Sequence, residues 1–383
     1  MTVTTPLGFE AAGVAAGLKA SAALDLALVV NRGPRQSAAV VFTSNRAKAN
    51  PILWSERVAA NGTVSAIVLN SGGANCFTGE QGYRTTEATA QAVGRALAVS
   101  PDDVLVCSTG LIGEQLDLQK LESGVDAAAG GLSRDGGRDA AHAIMTTDSR
   151  PKQALHQGEG WSIGGMAKGA GMLAPALATM LVVLTTDADL EAEELDEALL
   201  GAVRVSFNRL DSDGCTSTND QVTLLASGAS GIRPTVREFT DALTAVCLDL
   251  ATQLMQDAEG ASHDITIEVR GAATEDDAVE VGRSVARNNL FKTAVFGNDP
   301  NWGRVLAAIG TTSADFDPYA VDVTMNGVRV CHAGAPDEPR DRVDLTPRDL
   351  HLVIDLFAGE ATATVLTNDL THDYVHENSA YSS

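Results

Sequence analysis

Near the middle of the chain, the run Lys168-Gly-Ala-Gly-Met-Leu-Ala-Pro-Ala-Leu-Ala-Thr-Met-Leu-Val-Val-Leu-Thr-Thr-Asp187 sets a hydroxyl, Thr179, between a glycine-bearing loop and a short apolar segment. Gly169 and Gly171 allow backbone conformations that a Cβ forbids, and Pro175 cannot continue a helix. Leu181-Val-Val-Leu184 reads as a strand. Thr179 is either an ordinary strand threonine or a nucleophile whose own peptide bond is its first target. Were the Ala178–Thr179 bond cut, one residue would carry both a hydroxyl and an α-amine. With a reference pKa of roughly 7.7–8.0, that amine is partly neutral near pH 7 and can take the hydroxyl proton. Before cleavage, the same hydroxyl could attack the preceding carbonyl, and water would resolve the resulting ester.

Such chemistry needs donors for a developing oxyanion. Val104-Leu-Val-Cys107 runs directly into Ser108-Thr109-Gly110, where a hydroxyl and a backbone N–H can point the same way. The other reading is plain turn chemistry. Glu259 follows a long helix at its C-terminal end, where the helix dipole disfavours a carboxylate, so it is a candidate partner for a cationic ligand. Other glycine-rich matches fail on their details. Gly164-Gly-Met-Ala-Lys168-Gly169 lacks the hydroxyl residue that a P-loop carries after its lysine. Gly169-Ala-Gly-Met-Leu-Ala174 fits a loose dinucleotide pattern, but no convincing strand precedes it and Pro175 spoils the helix that should follow. Asp211-Ser-Asp-Gly-Cys-Thr-Ser-Thr-Asn-Asp220 resembles the start of a calcium loop and lacks the closing glutamate. A serine elbow, G-x-S-x-G, is absent.

The elements that would hold these residues form a mixed α/β pattern. Strands are expected at Leu24–Val30, Ala38–Phe42, Ser65–Leu69, Val104–Cys107 and Ile265–Val269. Helices are expected at Tyr83–Leu97, Val125–Ile144, Asp187–Val203 and Thr235–Met255, the last with Phe239, Leu243, Val246, Leu250 and Leu254 at helical spacing. Gly8–Lys19, small and glycine-punctuated, favours close backbone packing over a helix. Asn326-Gly327 marks a hairpin between Val321 and Val330, and Leu352–Leu366 reads as a second hairpin turning at Gly359. The tail after Glu377 is polar and by composition would be disordered.

The chain has 383 residues, enough for more than one domain, and 44% of them are hydrophobic. Its 27 basic residues against 50 acidic ones leave a net charge of −23, which argues against nucleic acid and anionic membranes as partners. The N-terminus lacks a signal-peptide pattern, and no apolar run reaches membrane-spanning length. Five scattered cysteines without C-x-x-C pairs, and seven histidines without ligand spacing, suggest neither disulfides nor a metal site. A reducing cytoplasm is the expected compartment.

Taken together, these motifs resemble the ornithine acetyltransferase (glutamate N-acetyltransferase) family of arginine biosynthesis, and the resemblance spans essentially the whole chain. Its most specific piece is Met166-Ala-Lys-Gly-Ala-Gly-Met-Leu-Ala-Pro-Ala-Leu-Ala-Thr-Met-Leu181. It is supported by Gly8-Phe-Glu-Ala-Ala-Gly-Val14, Ser108-Thr-Gly110, Met145-Thr-Thr-Asp148, the Asp211–Asp220 loop, Gly297-Asn-Asp-Pro-Asn-Trp-Gly-Arg304 and Glu377-Asn-Ser-Ala-Tyr-Ser-Ser383. The resemblance implies self-cleavage between Ala178 and Thr179 into an α chain, residues 1–178, and a β chain, residues 179–383.

Thr179 would then carry the acetyl group of N-acetyl-L-ornithine to L-glutamate in a ping-pong cycle. The family's oxyanion donors fall on Thr109 and Gly110, and its substrate contacts on Thr146, Lys168, Thr179, Glu259, Asn378 and Ser383. No metal or prosthetic group is implied, and acetyl-CoA as a second donor substrate stays open. The implied fold is a layered αββα sandwich over residues 1–262, with a smaller C-terminal α/β domain over residues 263–383. Oligomers of αβ heterodimers are implied as well. A self-cleaving amidohydrolase or aminopeptidase of similar fold is the alternative. Where the family often has Asn-Ser-Gly-Asn-Ala-Asn, this chain has Gly73 in place of the second asparagine.

Overall fold

The computed structural model describes residues 2–174 and 180–380. In chain order the first elements are β1 (Phe9–Val14), β2 (Leu26–Asn31), β3 (Ser37–Phe42), α1 (Asn50–Ala59), β4 (Ala66–Ser71), α2 (Gly79–Leu97) and β5 (Val104–Thr109). There follow α3 (Leu118–Gly130), α4 (Gly137–Ala143), β6 (Lys152–Gln157), β7 (Ser162–Lys168), β8 (Leu181–Thr186), α5 (Ala192–Val205), β9 (Gln221–Ala226) and α6 (Val236–Gln256). The last are β10 (Asp264–Ala272), α7 (Glu275–Ala286), α8 (Asn289–Phe296), α9 (Trp302–Ile309), β11 (Asp322–Met325), β12 (Val328–His332), β13 (Ala335–Pro336), β14 (Asp349–Asp355), β15 (Ala361–Asn368) and α10 (His372–Ala380).

Two sheets carry the site. The first has strand order β1-β2-β4-β5 and the second β3-β9-β8-β7-β6. Strands β2, β4, β5, β7, β8 and β9 are buried along their whole length, the signature of a sheet covered on both faces. Alternation along β8 divides its side chains between two cores. Leu181 and Val183 join Val29 and Val68 in a core shared by the two sheets, whereas Val182 and Leu184 join Leu199, Leu243 and Leu250 beneath α5 and α6. Helices α1 to α4 pack with the first sheet, so the order of layers is helix, sheet, sheet, helix.

Helix α6 forms where its stripe requires it. Thr235 caps it by accepting the Glu238 N–H, and Phe239, Leu243, Val246, Leu250 and Leu254 are all buried. Each such side chain contributes roughly 1.5–3 kcal/mol by leaving water.

The third sheet, β13-β12-β11-β14-β10-β15, packs against α7 and has a separate core drawn from residues 265–365. Asn326 (φ 45°) and Gly327 (φ 82°) make the expected tight turn between β11 and β12. The expected hairpin over Leu352–Leu366 does not form. Strand β10 lies between β14 and β15, pairing parallel with the first and antiparallel with the second. Alternating apolar residues on either side of Gly359 could not reveal that a strand from far earlier in the chain occupies the middle.

Three further expectations change. The single helix over Val125–Ile144 is two, α3 and α4, because the segment between them pairs with β1 through Ala11 and Ser133. A Cβ on Gly136 would lie 1.9 Å from the Ala11 carbonyl oxygen, so this close approach needs glycine. Helix α5 starts at Ala192 rather than Asp187, behind a capping box between Glu191 and Glu194. Asp187 is instead spent on receiving the Leu7 and Ser162 amides at 2.9 and 2.7 Å. A strand does precede Gly169: it is β7, whose Gly164 and Gly165 hid it from a β-propensity reading.

The five cysteines are unpaired. Among the described residues no helix is long and apolar enough to cross a membrane.

Candidate active site

Strand β5 ends on Thr109, and the chain turns at Gly110 with φ +125°, a conformation that L side chains rarely adopt. A Cβ there would also lie 2.6 Å from the backbone nitrogen of Gly73. The turn is braced from three sides. Gly73 donates its N–H to the Thr109 carbonyl at 3.0 Å, Ser108 Oγ donates to Asn70 Oδ1 at 2.6 Å, and Asn219 Nδ2 donates to the Ser108 carbonyl at 2.9 Å. The Gly73 departure from the family pattern therefore sits directly against the candidate oxyanion donors. A Cβ at Gly73 would meet Leu116 Cδ2 at 2.6 Å, the movable end of a side chain.

Lys168 is the last residue of β7 and is 1% exposed. Its ammonium donates to Thr109 Oγ1 at 3.1 Å. Burial pulls its pKa below the ordinary lysine value. Asp148, Asp220 and Glu259 oppose that shift, and Lys152 adds to it. In register Lys168 faces Leu181 across the β7–β8 pair, so the connection between them returns to where it left. Thr179 falls on residues 175–179 of that connection, outside the described residues, as does Ser383 in the tail. The following amide is described: Met180 donates its N–H to Asp220 Oδ1 at 2.9 Å. Asp220 is fully buried, and burial raises its carboxyl well above the usual carboxylate range, against the pull of the Met180 amide and Lys168.

Glu259 lies just past the C-terminus of α6, as its place in the sequence required. Its N–H donates to the Ala170 carbonyl at 2.9 Å, and its Oε2 accepts Asn378 Nδ2 at 2.9 Å. Asn378 is on α10, so the tail that composition marked as disordered is helical through Ala380 and folds back onto the α6 end. Thr146 donates its N–H to Asp148 Oδ2 at 2.9 Å.

One cavity of about 310 Å³ gathers these residues. Thr109, Gly110, Thr146, Lys168, Glu259 and Asn378 line it, joined by Thr147, Met172, Ser217 and Asn219. It carries a buried cation, a carboxylate and the Thr109–Gly110 turn in one space. That arrangement can hold a small amino acid by its two charges while a carbonyl oxygen faces hydroxyl and amide donors. Among the described residues no three His, Cys, Asp or Glu side chains gather as a metal site needs.

Sequence reasoning passed over Asp148, Lys152, Asp257 and Asp220. Two of them stood within quoted motifs, Met145–Asp148 and Asp211–Asp220, but an aspartate in a polar run looks like any solvated one until its burial is seen.

Comparison with known proteins places the chain. A family profile described as the ArgJ family matches residues 10–383. The curated "Arginine biosynthesis bifunctional protein ArgJ" of Streptomyces coelicolor is 61% identical and that of Streptomyces avermitilis 62% identical, each over the full length of both chains. The Mycobacterium tuberculosis protein of the same name is 54% identical over all of this chain and 96% of its own. Among solved structures, an ornithine acetyltransferase from M. tuberculosis complexed with ornithine is 52% identical, with a TM-score of 0.45 over 47% of this chain and 96% of the other. An ArgJ structure from Bacillus halodurans is 32% identical, with a TM-score of 0.49 over 51% of this chain and 97% of the other. This chain belongs to the ArgJ family.

Proposed function

We propose that the protein is a glutamate N-acetyltransferase: it cleaves itself between Ala178 and Thr179, takes the acetyl group of N-acetyl-L-ornithine onto Thr179, and passes it to L-glutamate. The observation that carries this reading is the single cavity lined by Thr109, Gly110, Thr146, Lys168, Glu259 and Asn378 in a chain of the ArgJ family.

In the first half-reaction the Thr179 hydroxyl attacks the acetyl carbonyl, and its proton passes to the Thr179 α-amine. The tetrahedral oxyanion is met by the Thr109 hydroxyl and the Gly110 N–H. The C–N bond then breaks, and the α-ammonium returns the proton to the departing amine of ornithine. Glutamate, bound in the same cavity, attacks the acetyl ester by the reverse sequence. Lys168 receives the substrate carboxylate, and Glu259, steadied by Asn378, receives the amine of ornithine.

The cut leaves β7 in one chain and β8 and β9 in the other, hydrogen-bonded side by side within one sheet and one core. Two chains that share a sheet this way stay together, and further assembly of αβ heterodimers belongs to the same proposal. The reading requires no prosthetic group. The name "bifunctional" carried by the relatives supports acetyl-CoA as a second donor substrate. A cytoplasmic setting is part of the same reading.

The test is ornithine release from N-acetylornithine with and without glutamate. A transferase releases ornithine in stoichiometry with N-acetylglutamate and depends on the acceptor. Equal release without glutamate, with free acetate as product, overturns transfer in favour of an amidohydrolase.

A further inference from the structure

Behind the cavity wall lies a row of buried charges that the proposed chemistry does not use. Lys152 is wholly buried and donates to Asp148 Oδ1 at 2.6 Å and to Asp257 Oδ2 at 2.5 Å. Asp148 spends its other contacts on backbone: Oδ1 accepts the Gly169 N–H at 2.7 Å, and Oδ2 accepts the Thr146 N–H at 2.9 Å. Asp257 accepts the Ser149 N–H at 3.0 Å and stands two residues before Glu259. Asp148 thus holds the chain at Thr146, which lines the cavity, and at Gly169, next to Lys168, while Asp257 holds Ser149 and stands two residues before the cavity-lining Glu259.

We infer that Asp148, Lys152 and Asp257 form a positioning relay that sets the place of Lys168 relative to Glu259, and so the spacing of carboxylate and amine that the cavity accepts. The inference rests on the proposed reading of Lys168 and Glu259 as the two charge sites. A purely structural purpose explains the row poorly, because a buried ion pair usually adds little stability over apolar packing of the same volume. The relay also crosses the proposed cut. Asp148 and Lys152 precede residue 179 and Asp257 follows it, so the two halves are registered at the point where their substrate contacts must meet. Asp148 has an electrostatic part as well. Among the described residues the charged groups facing Lys168 are Asp148, Lys152, Asp220 and Glu259, and of those that oppose the downward pull of burial on the lysine pKa Asp148 acts most strongly.

The test compares Asp148→Asn and Asp257→Asn with the parent, all as full chains whose cleavage state is checked by intact mass. Asn keeps the shape and an acceptor and removes the charge. For Asp148→Asn, KM for N-acetylornithine is expected to rise about tenfold or more while kcat stays within about threefold, and the rise of KM with pH starts at lower pH than in the parent. For Asp257→Asn, the preference for N-acetylornithine over its one-methylene-longer homologue N-acetyllysine falls by at least about threefold. Unchanged KM, pH profile and preference, with only a lower Tm, overturn the relay and leave a structural staple.

If Asp148→Asn cannot be recovered folded, Asp257→Asn decides, since its side chain lies at the outer end of the row with 7% exposure. A parent that releases no ornithine sinks the proposed function instead. The relay is then judged by calorimetry with ornithine: a Kd in the variants within about twofold of the parent's overturns it.

Discussion

Lys168 Nζ donates to Thr109 Oγ1 across 3.1 Å, joining the last residue of β7 to the last residue of β5. An ammonium has only donors, so the threonine oxygen must accept and its own O–H is directed elsewhere. The lysine therefore orients the hydroxyl as a donor and strengthens it by its charge, which is what an oxyanion site requires.

Thr109→Ala is expected to slow both self-cleavage and acetyl transfer by about 10²–10³-fold, the usual loss for one oxyanion donor. Thr109→Ser restores most of both rates. A time course of intact mass follows the first, and ornithine release follows the second. Parent-like cleavage with impaired transfer would mean that two separate donor sets serve the two steps.

Thr179→Ala removes the hydroxyl and leaves nothing to attack the preceding carbonyl. The expected product is one uncut chain of 39.7 kDa that is inactive in transfer. Two fragments from that variant would point to another nucleophile or to contaminating protease.

A methyl group on Gly171 would lie 2.4 Å from Glu259 Oε2. The obstacle is the end of a flexible side chain, so the fold should stand while the carboxylate swings away and loosens from Asn378. Gly171→Ala is expected to raise KM for N-acetylornithine several-fold, with Tm changed by less than about 4 °C. Glu259→Gln, which removes the charge without moving the group, should raise it further, by about tenfold or more. If Gly171→Ala binds as the parent does, Glu259 is not the amine partner.

Burial by itself would raise the Asp148 carboxyl, but Lys168, Lys152 and the Gly169 amide hold it down to about 2. A carboxylate whose folded pKa lies below its unfolded value of about 3.9 contributes stability above that value, and loses it as pH falls toward 2. A shift of that size corresponds to about 2.5 kcal/mol near neutral pH. Acid denaturation of Asp148→Asn should therefore show a shallower loss of stability between about pH 4 and pH 2 than the parent, measured by urea midpoints at each pH. Identical slopes would mean that another carboxylate dominates the acid limb.

Much of this protein was determined by its local sequence. The stripe from Phe239 to Leu254 dictated α6, and a chain ending that helix in Asp257-Ala-Glu-Gly260 had to leave Glu259 at the helix end. Val104–Cys107 running into Ser-Thr-Gly dictated a strand delivering a hydroxyl to a turn, and Asn326-Gly327 dictated its hairpin. These signals are legible because periodicity and turn chemistry act between near neighbours.

Other features were decided only when distant parts met. Strand β10 between β14 and β15, the break between α3 and α4 at Ser133, and the helical tail reaching Glu259 all depend on partners more than eighty residues away in the chain. The same holds for the charges. Asp148, Lys152 and Asp220 are ordinary polar letters in the sequence, and only enclosure in a low-dielectric interior turns them into a relay and a raised carboxyl, because the cost of burying a charge depends on what surrounds it.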